Sequence, residues 1–356
     1  MNSKVLSLIF LLTISLTLSG CGVTFSNGGG ELGGGNDGGI FRSDNKGSTW
    51  VQKTLVPTVS GKPGNFGFLD SYALAIDPSD SKAIYLGMIE NGLIYSYDRG
   101  DGWHKANGLS QATIRSIAID PNYKCTLYVA VDNKVMKSND CSRTWTQAYF
   151  DNDLTLKVNT IDIDPVDGNN VFIGTSRGEV IKSTNRGGSW QTINRFEANT
   201  TRLIISPENP KIMFAATEGR SLHFSEDAGN NWKKLDESLK DFKDSVNFKD
   251  LVFSKDKPNR VFLASRYGLL RSENLGRSWE KIELITPEAE ATINSLAVSP
   301  KNDNEIYYVT NTTFYRTADG GKSWTTKKLP TTRVGWRLKI DPDNPSVLYL
   351  AVRQIK

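Results

Sequence analysis

The sequence predicts an all-β fold: a seven-bladed β-propeller of four-stranded antiparallel blades, closed by a composite blade from both termini. Three observations predict it. An octapeptide ending in Trp occurs seven times, with spacings of 53, 42, 45, 42, 47 and 45 residues between the tryptophans. A short strand ending in a turn recurs at the same period, and helical periodicity is nearly absent after the first twenty residues. The chain after residue 40 opens and closes on half a repeat, and the two halves complement each other.

The ends come first. Residues 1–20, "MNSKVLSLIFLLTISLTLSG", carry one early cation, Lys4, about fourteen mostly apolar residues and a small-residue exit. That is the composition of a secretory signal, and the apolar run is short for a bilayer span of about 20 residues. The exit Leu18-Ser19-Gly20-Cys21 resembles the bacterial lipobox, in which the chain is cut before the Cys and its thiol is acylated. Cys21 is therefore the expected lipidation site, and with roughly 0.8 kcal/mol per buried methylene several acyl chains would hold it firmly in a membrane. Gly22 stands where an inner-membrane retention signal has Asp, so the expected location is the cell envelope, periplasm-facing or surface-exposed, anchored in the outer membrane or at the cell surface. Residues 21–39 form the lipidated Cys and a Gly-rich tether, whose mean span is roughly 23 Å. No strand precedes and no helix follows this glycine run, so it is not a phosphate loop.

Residues 40–356 form the propeller. Its octapeptides are "SDNKGSTW" (43–50), "SYDRGDGW" (96–103), "SNDCSRTW" (138–145), "STNRGGSW" (183–190), "SEDAGNNW" (225–232), "SENLGRSW" (272–279) and "TADGGKSW" (317–324). The second motif runs "LAIDPSD" (74–80), "IAIDPNY" (117–123), "IDIDPVD" (161–167), "LIISPEN" (203–209), "LVFSKDK" (251–257), "LAVSPKN" (296–302) and "LKIDPDN" (338–344). Between them lie a β-branched and aromatic run, a Gly-containing hairpin and another strand. Each unit thus has strands A to D, with the octapeptide joining C to D. The start, "GIFRSD" to "WVQKT", supplies only C and D, and the end, "WRLKIDP" and "SVLYLAV", only A and B. Joined, they make the seventh blade, leaving no open sheet edge.

The octapeptide resembles the Asp-box, Ser-x-Asp-x-Gly-x-x-Trp, of sialidases, sortilin, two-propeller xyloglucanases and the photosystem II assembly-factor family. In the third position, Asp98, Asp140, Asp227 and Asp319, or Asn45, Asn185 and Asn274, can accept backbone N–H bonds within the turn. Gly in the fifth position permits a positive φ; Ser142 alone departs. Trp50, Trp103, Trp145, Trp190, Trp232, Trp279 and Trp324 each start strand D and can bury a ring between blades. Seven similar boxes on seven blades read as architecture, so none of these side chains is expected to do chemistry.

Catalytic signals are thin. The only histidines, His104 and His223, lack a second ligand at metal-site spacing, and no nucleophile elbow or phosphate loop occurs. No metal, cofactor or catalytic residue is expected. A sialidase would carry Arg-Ile-Pro where this chain has "GIFRSD". Net charge is +4, or +3 without Lys4, too small for a nucleic-acid partner. Charge placement says more. Arg115, Arg202 and Arg337 lie at the upstream ends of strands A, and Arg177, Arg220 and Arg266 in B–C turns, all on the face opposite the boxes. Together with Trp336, the one Trp outside the boxes, they are the candidate binding residues; scattered surface charge is the plain alternative. Two long D–A connections, 55–71 and 236–248, are expected on that same face. Arg matches carboxylates with a planar fork of donors, so acidic protein segments or acidic glycans are the expected ligands.

The whole chain from residue 40 resembles the photosystem II assembly-factor group, single seven-bladed propellers that include lipoproteins and carry an arginine patch. That resemblance implies a lipid-anchored monomer acting as a non-catalytic protein-binding scaffold. The alternative is a glycan-binding or glycoside-hydrolase surface protein, because a glycosidase needs only two suitably spaced carboxylates. The remaining cysteines, Cys125 and Cys141, fall at the start of strand B and the end of strand C of one blade. In an exported protein that placement predicts a disulfide.

Overall fold

A computed structural model describes residues 36–219 and 221–355. Seven four-stranded antiparallel sheets account for nearly all of it. Blade 1 comprises strands A Ser71–Asp77, B Asp80–Met88, C Leu93–Ser96 and D His104–Lys105. Blade 2 begins with A Ile114–Ile119 and B Leu127–Val131, blade 3 with Val158–Ile163 and Val171–Thr175, and blade 4 with Thr200–Ile205 and Met213–Thr217. In blade 5 the corresponding strands are Phe248–Phe253 and Val261–Ser265, and in blade 6 Ser295–Ser299 and Asn302–Val309. Blade 7 is the composite. Val51–Gln52, Ile40–Ser43, Leu348–Arg353 and Val334–Ile340 pair in that order, with Ile40 opposite Ala351 and Ser43 opposite Leu348.

The strands B of blades 2 to 5 are buried on both sides along their whole length. That is why they read as continuous apolar runs rather than alternating ones. Seven hydrophobic clusters fill the seven seams between blades. The box tryptophans complete these seams. Trp50 meets Phe314 of blade 6 edge-on at 5.4 Å, Trp190 meets Tyr149 of blade 2 at 5.6 Å, and Trp190 Nε1 donates to Ala148 O at 2.7 Å. Each aromatic pair contributes about 0.5–1.5 kcal/mol beyond its buried area.

Within a box the third-position oxygen caps the turn. Gly102 N donates to Asp98 Oδ1 at 2.8 Å, and Thr49 N to Asn45 Oδ1 at 2.8 Å. The first-position hydroxyl is equally engaged, since Ser43 Oγ accepts from Gly47 N at 2.8 Å and donates to Asn45 Oδ1. The fourth and fifth residues are both left-handed, as at Lys46 and Gly47, with φ of 58° and 81°. A Cβ on Gly47 would collide with the Phe314 ring. Ser142 takes φ 66° without glycine's freedom, beside Cys141 at φ 59°. The structure joins Cys141 to Cys125 by a disulfide.

The two long D–A connections differ from expectation. Residues 55–65 form a hairpin, Leu55–Val56 with Gly64–Asn65, that leans on the next blade's box. Trp103 N donates to Leu55 O at 3.0 Å, Pro57 lies against Gly102, and Phe66 packs on Trp103. The connection at 236–248 holds a short helix, Asp236–Leu239, and Ser238 Oγ donates to Gly276 O of the following box. Both insertions pack over a seam, because each carries apolar residues (Val56, Phe66, Leu239, Phe242) that need cover. The tether also ends earlier than residue 39. Gly39 N donates to Leu69 O at 2.9 Å, and Asp37 accepts from Thr332 N at 2.7 Å.

Candidate functional site

Strands A from all seven blades surround a central channel of about 430 Å³. Its walls are tied blade to blade by side chains. Ser116 Oγ accepts from Ile161 N, Thr160 Oγ1 from Leu203 N, Asp162 Oδ2 from Ile205 N, Asp250 Oδ2 from Leu296 N and Ser295 Oγ from Leu338 N, all at 2.9–3.1 Å.

The mouth is built by bulges. In six of the seven strands A the pairing with strand B skips one residue near the top. The skipped residues are Tyr72, Arg115, Asn159, Thr201, Lys249 and Trp336. A bulge places two residues opposite one and re-aims the extra side chain; of the six, Arg115 lines the channel, and Tyr72 and Trp336 pack side by side. Sequence reasoning named Arg115 and Trp336 but missed Tyr72, Asn159, Thr201 and Lys249 and the bulge that all six share. The signal is a strand motif one residue longer than its partner, which is invisible until both strands are paired.

Three of the six, Tyr72, Trp336 and Arg115, form one cluster with two further arginines, Arg337 and Arg353. Trp336 Nε1 donates to Tyr72 O at 2.9 Å, fixing the indole beside the tyrosine ring, 6.1 Å between centroids. Arg353 lies over Trp336 at 3.2 Å and near Tyr72 at 5.6 Å. Arg337 sits 4.5 Å over Trp336, and Arg115 5.8 Å from Tyr72. Arg202 lines the same cavity. Among the described residues, none of Arg115, Arg202, Arg337 and Arg353 forms an ion pair, and the Nε atoms of Arg115 and Arg353 are buried without a hydrogen-bond partner. Burial, reinforced by Arg202, pushes Arg337 down to about 10. Burial likewise lowers Lys339, one turn of the strand deeper. Asp162, half-buried in the channel wall, is raised by burial to about 6 against the pull of the Ile205 and Ile163 amides, Arg202 and Lys339. The arrangement is a half-buried, positively charged mouth framed by two rings, suited to an anion carried beside an apolar or planar group.

The other candidates scatter. Arg177 is neutralised, with Asp151, Asp153 and Glu179 as ion-pair partners, so it does not belong to a free basic face. Arg266 is exposed on its own B–C turn. Arg220 and Cys21 lie outside the described residues. His223 is buried against Phe196, with ring centroids 4.2 Å apart, and burial and Lys234 lower it to about 4. Among the described residues no group of three His, Cys, Asp or Glu side chains could hold a metal ion. No described helix is long and apolar enough to cross a membrane.

No family profile matches the chain. Among curated proteins, xyloglucanase Xgh74A of Acetivibrio thermocellus is 25% identical over 331 residues, covering 79% of this chain and 36% of the relative. A Paenibacillus xyloglucanase is 25% identical over 252 residues, covering 56% and 24%. The chain thus spans about a third or less of the curated relatives it matches. Among solved structures, YCF48 bound to D1 peptide superposes with a TM-score of 0.61 at 16% identity, over 84% of this chain and 96% of that one. YCF48 from Cyanidioschyzon merolae gives 0.61 at 13% identity, over 83% and 97%. The GH74 xyloglucanase from Xanthomonas campestris gives 0.64 at 17%, over 80% and 51%. At these identities the likeness is one of fold, a seven-bladed propeller shared by binding proteins and hydrolases alike.

Proposed function

We propose that this chain is a non-catalytic binding scaffold of the cell envelope, anchored through a lipid on Cys21, whose channel mouth captures an acidic protein segment. One observation carries the reading: Arg115, Arg337 and Arg353 converge on Tyr72 and Trp336 near Arg202 of the channel wall, and none of the four forms an ion pair among the described residues. Clustering like charges in a half-buried site is costly unless a ligand supplies the counter-charge. A peptide side chain or terminus provides that charge along with an apolar stem for the rings. The solved YCF48 structure, a propeller of this fold bound to a peptide, fits the same reading.

The second reading is glycan binding or glycoside hydrolysis, and the xyloglucanase relatives favour it. The channel's own carboxylates argue against cleavage there. Asp162 accepts from Ile163 N and Ile205 N, and Asp250 from Leu251 N, Ser295 Oγ and Leu296 N, so all four oxygens serve the walls. A general acid and base would need them free for substrate and water.

The test runs both assays on the same preparation. Retention of a glutamate-rich peptide on immobilised protein, with no retention of its glutamine counterpart, is the expected outcome. Release of reducing ends from xyloglucan, with no peptide retention, would replace the first reading with the second.

A further inference from the structure

We infer that the channel mouth is held facing the membrane, and that its ligand is an acidic segment projecting from a membrane-bound partner. This rests on the lipid-anchor reading above, and the place where the chain enters the ring supplies the rest. Residues 36–39 are stitched into the top face, where D–A and B–C connections lie. Gly39 N donates to Leu69 O, Gln52 Nε2 to Gly38 O, and Thr331 and Thr332 both donate to Asp37. Arg333 bridges Asp37 to Asp70, and Asp70 also accepts from Gln354 N. Tyr72 follows two residues after Asp70, and Arg353 immediately precedes Gln354, so the entry point adjoins the arginine–aromatic cluster. Topology requires this. Residue 40 opens a strand C, and every strand C begins at the top.

Fourteen residues separate Cys21 from Asn36. Even fully extended, they reach no further than roughly 50 Å. A 317-residue domain has a radius of gyration of roughly 20 Å, hence an outer radius of roughly 25 Å. Running the tether from the top, around the rim, to present the underside to the bilayer would consume its entire reach. The top face is therefore the one the anchor brings to the surface.

Charge distribution selects the ligand. The four clustered arginines sit inside the mouth, whereas the surrounding top-face segments expose charges of both signs, Glu90, Glu218, Asp241 and Glu290 beside Lys243, Lys249 and Arg266. A flat anionic bilayer would meet that mixed rim before reaching any channel arginine. A narrow acidic segment rising from the membrane can pass the rim and enter.

The test uses the full lipidated chain in phosphatidylcholine vesicles, with a single fluorescent thiol label at Thr312→Cys on a top B–C turn or at Lys322→Cys in a bottom box. Head-group nitroxide lipids should quench the first label severalfold more than the second; equal or reversed quenching would overturn the orientation. Flotation beside a Cys21→Ala control checks the anchor separately, since loss of vesicle association in both would sink the anchor reading instead. Adding a lipid-anchored deca-glutamate peptide to the vesicles should give capture, and inserting thirty Gly/Ser residues after residue 35 should weaken it roughly fivefold as effective concentration falls. Binding of the unlipidated chain to phosphatidylglycerol vesicles, with no gain from the peptide, would overturn the assigned partner.

Discussion

The two faces of the ring treat the same residue type in opposite ways. On the bottom, basic residues at the fourth position of a box reach a buried carboxylate of the preceding blade. Arg186 meets Asp120 at 3.9 Å and stacks on Tyr123, Arg99 meets Asp341 at 3.6 Å, and Lys46 meets Glu305 at 2.9 Å. At the channel mouth Arg115, Arg337 and Arg353 lie by rings and, like Arg202, form no ion pair among the described residues. Paired arginines hold blades together; unpaired ones in a half-buried mouth destabilise the free protein slightly and, on the proposed reading, hold an anion. On that reading the pairing, not the count of cations, separates the structural face from the binding face. It also means that Lys46 and Arg186 are seam residues, unsuitable as neutral surface controls.

The largest effect tests what both faces depend on. Deleting the last fifteen residues removes Leu348–Arg353, the strand between Val334–Ile340 and Ile40–Ser43. Cooperative unfolding should disappear, because blade 7 loses its centre and blades 1 and 6 lose a neighbour. A calorimetric melt like the parent's would show that the ring does not close through that blade.

The next prediction sets the faces against each other. Arg202→Glu combined with Arg337→Glu should lower retention of a glutamate-rich peptide at least a hundredfold, about 3 kcal/mol, while the melt holds or rises. Arg186→Glu should do the reverse. It leaves Asp120, fully buried, facing a like charge, and should cost about 2 kcal/mol, toward the low end for broken pairs because Arg186 keeps some solvent contact. Peptide retention by the folded fraction should be unchanged. If Arg186→Glu impaired capture and the channel pair did not, the binding face would be the wrong one.

The blades and their closure were legible in the sequence because a box demands the same hydroxyl, amide acceptor and left-handed residues every time, so Ser43 to Trp50 and Thr317 to Trp324 reveal themselves by repetition. The channel arginines Arg115, Arg202 and Arg337 were legible by position in strand A. The rest of the mouth was not. Tyr72 and Arg353 belong to no motif, and although Trp336 stood out as the one Trp outside the boxes, the bulge that turns it into the cluster exists only once strands A and B are in register. Arg177 misled for the complementary reason, since its three acidic partners come from residues up to 26 positions away and around a turn. The long connections misled as well. Length suggested binding loops, but Phe66 and Phe242 needed burial and drew them onto the seams.

The smallest predicted effect lies within the mouth itself. Asp162 faces the channel cations Arg202 and Lys339, and its folded pKa is raised to about 6, above its unfolded value near 3.8. A raised carboxylate binds its proton in the folded state first, so between about pH 6 and pH 4 the native chain holds more protons than the unfolded one. Stability from this group therefore grows as pH falls through that window and is lost as pH rises through 6. The same protonation removes a negative charge beside Arg202 and Lys339, leaving the mouth more positive. Capture of a sulfonate-bearing peptide, whose own charge is constant across the range, should tighten by roughly fivefold between pH 7.5 and pH 5, about 1 kcal/mol for one charge at an effective dielectric between protein and water. In Asp162→Asn the probe should bind at the tighter level throughout and lose the slope. His223, lowered to about 4 and seated away from the channel among Phe196, Trp232 and Lys234, does not titrate in this window. An unchanged slope in Asp162→Asn would mean that the channel does not sense this carboxylate, and that the anion binds above the ring of bulges rather than within it.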